Sequence, residues 1–263
     1  MKQMQKNEQI VIVLGGNRGI GLGFVEYYLS KPSYRVIATY RDAGKADRLK
    51  GLRQAHPEKI ELHQVDIRDE AAILRFATTV PEKIDILILN AGIVRGARGE
   101  QPPSCSMQEA RELMETNVYG HDTLIRALYL KLLKPNSCIV YISSTVSHSG
   151  SNVMGRHHYY RASKAASNIL IQNWDIELAR LWIEEKKENF DTRPCSFPMS
   201  PGYVKTDMAG PNSNAPLTVD QSVNGMTNVI EKVRHTKECS LYLYNGEILE
   251  HYPEPLSVSN AKK

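Results

Sequence analysis

The sequence predicts an α/β fold, doubly wound, with a mostly parallel sheet of about seven strands and helices on both faces. Three observations carry that prediction. Short aliphatic runs alternate with helix-length segments along the chain, the pattern of βαβ units. The runs at 10–14 and 84–89 are nearly all aliphatic, without polar alternation, as in strands covered on both faces. A glycine-rich turn follows the first run directly, where such folds place a phosphate-binding loop.

The elements follow in order. QIVIVLG (9–15) reads as the first strand and 20–30 as the helix after it. YRVIATY (34–40) and IELHQV (60–65) are the next strands, and 69–80 is helical. IDILILN (84–90), a long helical stretch at 108–134, SCIVYIS (137–143) and a second long one at 159–187 come next. RPCSFPMSPG (193–202) sits where another strand is needed but contains Pro198. Proline cannot donate to a ladder, so a short, imperfect strand is expected there. SLYLY (240–244) closes the set. With no internal repeat and no low-complexity linker, residues 1–263 read as one domain with a flexible tail at about 256–263.

A chain of 263 residues can bury a sizeable core. Its net charge of +4, from 33 basic and 29 acidic residues, is too small and too scattered to argue for nucleic acid. The four cysteines form no CxxC and no Cys/His cluster. No metal site is therefore expected, and the plain reading is free thiols in a reducing cytoplasm. The polar start MKQMQKNEQ lacks the apolar core of a signal peptide. No apolar run approaches the roughly 20 residues needed to cross a bilayer. A cytoplasmic protein without a membrane partner is the expectation.

The turn VIVLGGNRGIGLG (11–23) sets Gly15, Gly19 and Gly21 between strand and helix. Glycine permits positive φ and close approach of a phosphate, and the helix that follows offers free N–H groups and its positive end. A dinucleotide pyrophosphate fits that environment, although a ligand-free turn would show the same glycines. Arg18 lies in the turn, and Arg41 follows the second strand, where folds of this kind meet the adenosine ribose. Arginine there accommodates a 2′-phosphate, whereas an acid binds a free hydroxyl. The pair favours NADP(H); Asp42 keeps NAD(H) open.

The stretch HHYYRASKAAS (157–167) holds Tyr159, Tyr160 and Lys164. On a helix, positions four apart share a face. Tyr160 therefore stacks with Lys164, and Tyr159 points about 100° away.

Taken together, these motifs resemble the short-chain dehydrogenase/reductase family over nearly the whole chain. The glycine turn, Asp66 in QVDI, the Asn90-Ala91-Gly92 triplet, Asn117 in TNVYG, YISS, YxxxK at Tyr160 and Lys164, and PGYVKTDM from Pro201 occur in the family's order. Within it, the opening and closing segments are most similar to the C-factor and sniffer-type carbonyl reductases. The resemblance implies a Rossmann-type fold and hydride transfer between NADP(H) and a small carbonyl or alcohol. It implies Asn117, Ser144, Tyr160 and Lys164 as the catalytic set. Tyr160 would be general acid or base, Lys164 would lower its pKa and bind the nicotinamide ribose, Ser144 would steady the substrate oxygen, and Asn117 would support a proton-relay water. Alternation puts Ser143 and Ser144 on opposite faces, and the family pattern matches the second; Ser147 is a weaker candidate.

The implied cofactor contacts are Gly15, Asn17, Arg18, Gly19, Ile20 and Gly21 in the turn, Arg41, Asp66 and Ile67, then Asn90, Ala91 and Gly92. Tyr160, Lys164, Pro201, Gly202, Val204 and Thr206 complete them, with Asn90 more a brace between strands than a ligand contact. His157 and His158 are read as loop residues over the cleft. Loops near 93–104 and 203–217 would set substrate choice. A homodimer or homotetramer would pack through 108–134 and 159–180. C-factor-type proteins also suggest an alternative, a dinucleotide-binding signalling or regulatory protein with little or no turnover. Two departures stand out: Leu14 replaces the family's usual threonine, and 183–200 is long and polar.

Overall fold

The computed structural model describes residues 8–95, 105–153, 155–185, 189–210 and 213–253. The first seven residues, the tail at 256–263 and most of the 93–104 loop fall outside that set.

Seven strands run parallel: β1 (Gln9–Leu14), β2 (Tyr34–Tyr40), β3 (Ile60–Gln64), β4 (Ile86–Leu89), β5 (Cys138–Ile142), β6 (Cys195–Ser200) and β7 (Ser240–Leu243). An eighth, β8 (Ile248–His251), pairs antiparallel with β7. All belong to one sheet of order β3-β2-β1-β4-β5-β6-β7-β8. The helices are α1 (Gly19–Leu29), α2 (Asp47–Ala55), α3 (Glu70–Thr79), α4 (Met107–Met114), α5 (Gly120–Leu132), α6 (His158–Glu184) and α7 (Val219–Thr236).

Strand alternation builds two cores. Val11 and Val13 pack with Phe24 of α1, Leu49 of α2 and Met226 of α7. Ile10, Ile12 and Leu14 pack on the other face with Ile73 of α3, Leu124 of α5 and Ile171 of α6. The aliphatic runs of β1 and β4 are thus explained by cover on both sides.

The strand count is eight where about seven were expected. β8 has only four residues, ILEH, half of them exposed. It leaves no aliphatic run, and it exists because the turn at Gly246 (φ 90°) folds it back onto β7. β6 is also better formed than Pro198 suggested: it lies between β5 and β7 and is buried throughout. The Cys195 N–H and the Met199 carbonyl bond toward β5. Pro198, one position out of phase, turns its missing N–H toward β7, whose pairing covers only Met199 and Ser200. The polar stretch before β6 is anchored by a buried ion pair. Arg193 donates to both carboxylate oxygens of Asp175 on α6, at 3.0 and 3.2 Å, and also to the Lys237 carbonyl; Asp175 in turn accepts the Ser196 N–H. Residues 186–188 of the long 183–200 stretch lie outside the described set.

The expected helix at 108–134 is divided. Between α4 and α5 lies a π-helical turn, Glu115–Tyr119, with Asn117 at its centre. Gly120 follows because a Cβ there would meet the Ile67 carbonyl oxygen at 2.2 Å. Among the described residues, no helix is long and apolar enough to cross a membrane.

Candidate active site

The strand order reverses between β1 and β4, and at that point the sheet opens a crevice, as parallel folds do. The turn after β1 forms its floor. Gly15 adopts φ 76°, and its N–H donates to Thr39 Oγ1 at 3.0 Å while the Gly16 N–H donates to the Thr39 carbonyl. Asn90 Nδ2 donates to the Gly15 carbonyl at 2.9 Å, which makes Asn90 the brace the sequence suggested. Thr39 ties the turn although Leu14 supplies no hydroxyl. Gly21 is packed beneath: a Cβ there would sit 2.1 Å from the Gly15 oxygen.

The crevice is lined by Gly15, Asn17, Arg18, Gly19 and Ile20, by Arg41, Asp66 and Ile67, by Asn90, Ala91 and Gly92, and by Thr206. Of the expected cofactor contacts, Gly21, Tyr160, Lys164, Pro201, Gly202 and Val204 do not line it. The Pro201 carbonyl accepts from Ser222, Gly202 packs on Leu217 and Tyr244, and Val204 is buried and bridged to Leu217. Tyr40, Lys45, Ile93, Thr116, Asp207 and Met208 line the crevice without having been expected.

At the adenosine end the lining carries Arg18, Arg41 and Lys45 together with Asp42 and Asp207, and Lys45 lies 3.9 Å from Asp42. Asp42, the residue that kept NAD(H) open, turns a carboxylate oxygen back to accept the Gly44 N–H at 2.9 Å. Arg18 meets Asp207 at 2.7 Å, with both side chains mostly exposed. Asp66 is bound by Arg68 through the side chain and the backbone N–H, which lowers its pKa.

The four expected catalytic residues stand beyond this lining, past Gly92, whose Cβ position lies 3.4 Å from Asn117 Oδ1 and 3.5 Å from the Lys164 ammonium. Ser143 is buried and donates to Asn168 Oδ1 at 2.6 Å. Ser147 is tied to Asn168 and to the Ser144 carbonyl. That leaves Ser144, whose hydroxyl accepts the Val146 N–H at 3.4 Å, as the serine that acts on the Tyr160 phenol, lowering its pKa. Tyr160 and Lys164 share a face of α6, as their spacing requires, with the ammonium 5.8 Å from the Tyr160 ring centroid. Lys164 is buried, donates to the Ile142 carbonyl at 2.8 Å, and lies 4.6 Å from the centroid of the Tyr141 ring. His157, in the left-handed region at φ 48°, precedes the helix; His158 opens it and is not a loop residue. Arg161 holds the approach by donating to the Gly155, Arg156 and Val146 carbonyls.

The electrostatics depart from the expectation in one respect. Lys164 was expected to pull the Tyr160 phenol down. Burial instead pushes Tyr160 up to about 12, opposed by the Ser144 hydrogen bond. Burial also brings Lys164 down to about 7. Desolvation penalises the phenolate directly, and it disfavours the charged form of the amine as well.

Asn117 is fully buried and its groups have protein partners. Its side chain exchanges bonds with the Ile93 backbone at 2.9 Å and donates to Ser163 Oγ at 3.0 Å. Its carbonyl accepts from Tyr141 at 3.1 Å and from Ser167 at 2.7 Å. Asn117, expected to support a relay water, thus has its amide engaged by the Ile93 backbone and Ser163 and its carbonyl by Tyr141 and Ser167.

A sequence model described as short chain dehydrogenase matches residues 9–216. A short chain dehydrogenase of Penicillium aethiopicum is 29% identical over 213 residues, 76% of this chain and 77% of that protein. The carbonyl reductase Sniffer of D. melanogaster superposes with a TM-score of 0.78 at 27% identity, covering 92% of this chain and 99% of that one. An NADPH-bound carbonyl reductase from chicken fatty liver gives 0.78 at 28%, covering 94% and 95%.

Proposed function

The chain belongs to the short-chain dehydrogenase family and is an NAD(P)-dependent oxidoreductase; from that premise we propose that it is an NADPH-dependent carbonyl reductase. The observation that carries this reading is the convergence of Ser144, Tyr160 and Lys164 beside Gly92, at the edge of the crevice. The Sniffer and chicken proteins, both named as carbonyl reductases and the second bound to NADPH, support it.

The residues fit a dinucleotide. Gly19 has φ 52° and only Thr206 near the place of a Cβ. A Cβ on Gly92 would point at Asn117 Oδ1 and the Lys164 ammonium, 3.4 and 3.5 Å away, filling the inner end. Arg18, Arg41 and Lys45, all on the lining, would meet a 2′-phosphate. Asn17, Ile20, Asp66, Ile67 and Ala91 supply the walls, and Lys164 would meet the nicotinamide ribose. Pro201, Gly202 and Val204 would act from behind by placing Thr206.

When bound, the nicotinamide supplies the hydride. Tyr160, protonated at neutral pH, gives its proton to the carbonyl oxygen as the C=O bond becomes C–O, and is left as phenolate. Ser144 donates a hydrogen bond to the same oxygen. A phenolate beside Lys164 favours the ammonium, and the ammonium favours the phenolate, so the pull expected of Lys164 is exerted as the proton leaves. Asn117 fixes the wall opposite Lys164 through Ile93 and Ser163. A homodimer or homotetramer through α5 and α6 is supported by exposed Leu130, Ile169 and Ile176 on those helices.

The test is NADPH oxidation with a panel of aldehydes, ketones and quinones. Turnover of at least one is expected. Tight NADPH binding with no turnover on any of them would overturn the reductase reading in favour of a signalling protein. Arg41→Ala is expected to weaken NADPH binding roughly tenfold or more, the worth of a charge-assisted phosphate contact. NADH binding should stay nearly unchanged in the same fluorescence titration; an equal loss for both cofactors would remove Arg41 from the 2′-phosphate.

A further inference from the structure

Tyr141 is the one aromatic among the buried side chains of the central strands β1, β4 and β5. Its neighbours on the same sheet face are Ile139, Leu87, Leu89 and Ile12. A leucine would satisfy that packing, so the ring and the hydroxyl call for another reason. Each has a partner in the catalytic group. The hydroxyl donates to the Asn117 carbonyl at 3.1 Å, in the π-helical turn; turns of this kind recur at functional sites. The ring carries the Lys164 ammonium 4.6 Å from its centroid. On another side it meets His121 edge-on at 5.2 Å. Tyr141 also precedes Ser144 by three residues on the same chain segment.

We propose that Tyr141 is a positioning residue for the chemistry at Tyr160: its ring holds the Lys164 ammonium in charged form, and its hydroxyl locks the turn that carries Asn117. The inference rests on the reductase reading for its consequence in turnover, but not for its effect on Lys164. A buried ammonium is costly to desolvate, and the face of an aromatic ring returns part of that cost. The titratable groups facing Lys164 are Tyr160 on its own helix, Tyr141 on β5 and His121 on α5. His121 contributes no attraction: burial and the Lys164 charge bring it down to about 3, so it stays neutral. Of the three, only the two tyrosine rings can stabilise the cation, and Tyr141 is the nearer.

The experiment uses the full chain with Tyr141→Phe and Tyr141→Leu. The NADPH dissociation constant is measured by fluorescence across the neutral pH range, with thermal unfolding recorded in parallel. In the wild type, affinity is expected to fall as pH rises through about 7, where burial brings the Lys164 ammonium. Tyr141→Leu removes the π face and should move that midpoint down by about one pH unit. Tyr141→Phe keeps the face and should leave the midpoint in place. A Leu variant with the wild-type midpoint, or a Phe variant shifted as far as the Leu variant, would overturn the proposal. So would a lowered melting temperature in both with no change of midpoint, the mark of a purely structural residue. Should the Leu protein fail to fold, Tyr141→Met fills similar space without a ring and carries the same expectation. A protein that reduces no carbonyl but shows these midpoints would sink the reductase reading and leave the role of Tyr141 standing.

Discussion

Tyr160→Phe is expected to lower turnover by a factor of about 1,000, within the range that general acid catalysis supplies, while NADPH affinity changes less than about threefold. The variant keeps the ring that flanks Lys164 and removes only the proton donor. Ser144 would still hold the substrate oxygen, so substrate binding should survive with it. The phenol is suited to giving a proton: burial raises its pKa to about 12 and keeps it protonated across the neutral range. The same burial makes the phenolate expensive, which is why the amine stands on the same helical face. Steady-state kinetics on a responsive carbonyl, together with NADPH titration, check both halves. A variant as active as the wild type would remove Tyr160 from the chemistry, and loss of cofactor binding would make its role structural.

Asp175→Ala is expected to destabilise the fold by about 3–5 kcal/mol, because it leaves a buried guanidinium without its counter-charge. Arg193 and Asp175 are both almost fully buried, at 2% and 1% exposure. Asp175 also accepts the Ser196 N–H, so its loss strands a backbone donor at the head of β6. Truncation thus removes the ion pair and one end of the central strand together. For a chain of this size the melting temperature should fall on the order of 10 °C. Asp175→Leu combined with Arg193→Met should recover much of the loss, since an apolar pair replaces a buried salt bridge at little net cost. A loss below about 1 kcal/mol for Asp175→Ala in urea unfolding would mean that the pair contributes little.

Legibility in the sequence followed the range of the interactions. The glycine turn, the aliphatic strands and the Tyr160–Lys164 spacing are local patterns, and each appears where it was read. Strand alternation also separated Ser143, turned inward to Asn168, from Ser144, which acts on the Tyr160 phenol. β8 escaped because an exposed four-residue edge strand has no apolar signature. The π-helical turn escaped because its residues read as ordinary helix. Lys45 and Asp207 escaped as crevice residues because surface charges carry no local mark of the partner they face.

By itself the sequence determined the βαβ order, the glycine turn and the face of α6 that carries the tyrosine and lysine, since these depend on backbone periodicity and on residues a few positions apart. Only the tertiary structure decided how Pro198 fits a central strand, which residues engage the Asn117 carbonyl, and that burial raises the Tyr160 phenol. Hydrogen-bond partners and desolvation are set by neighbours far away along the chain, and a linear pattern holds no record of them until the sheet brings them together.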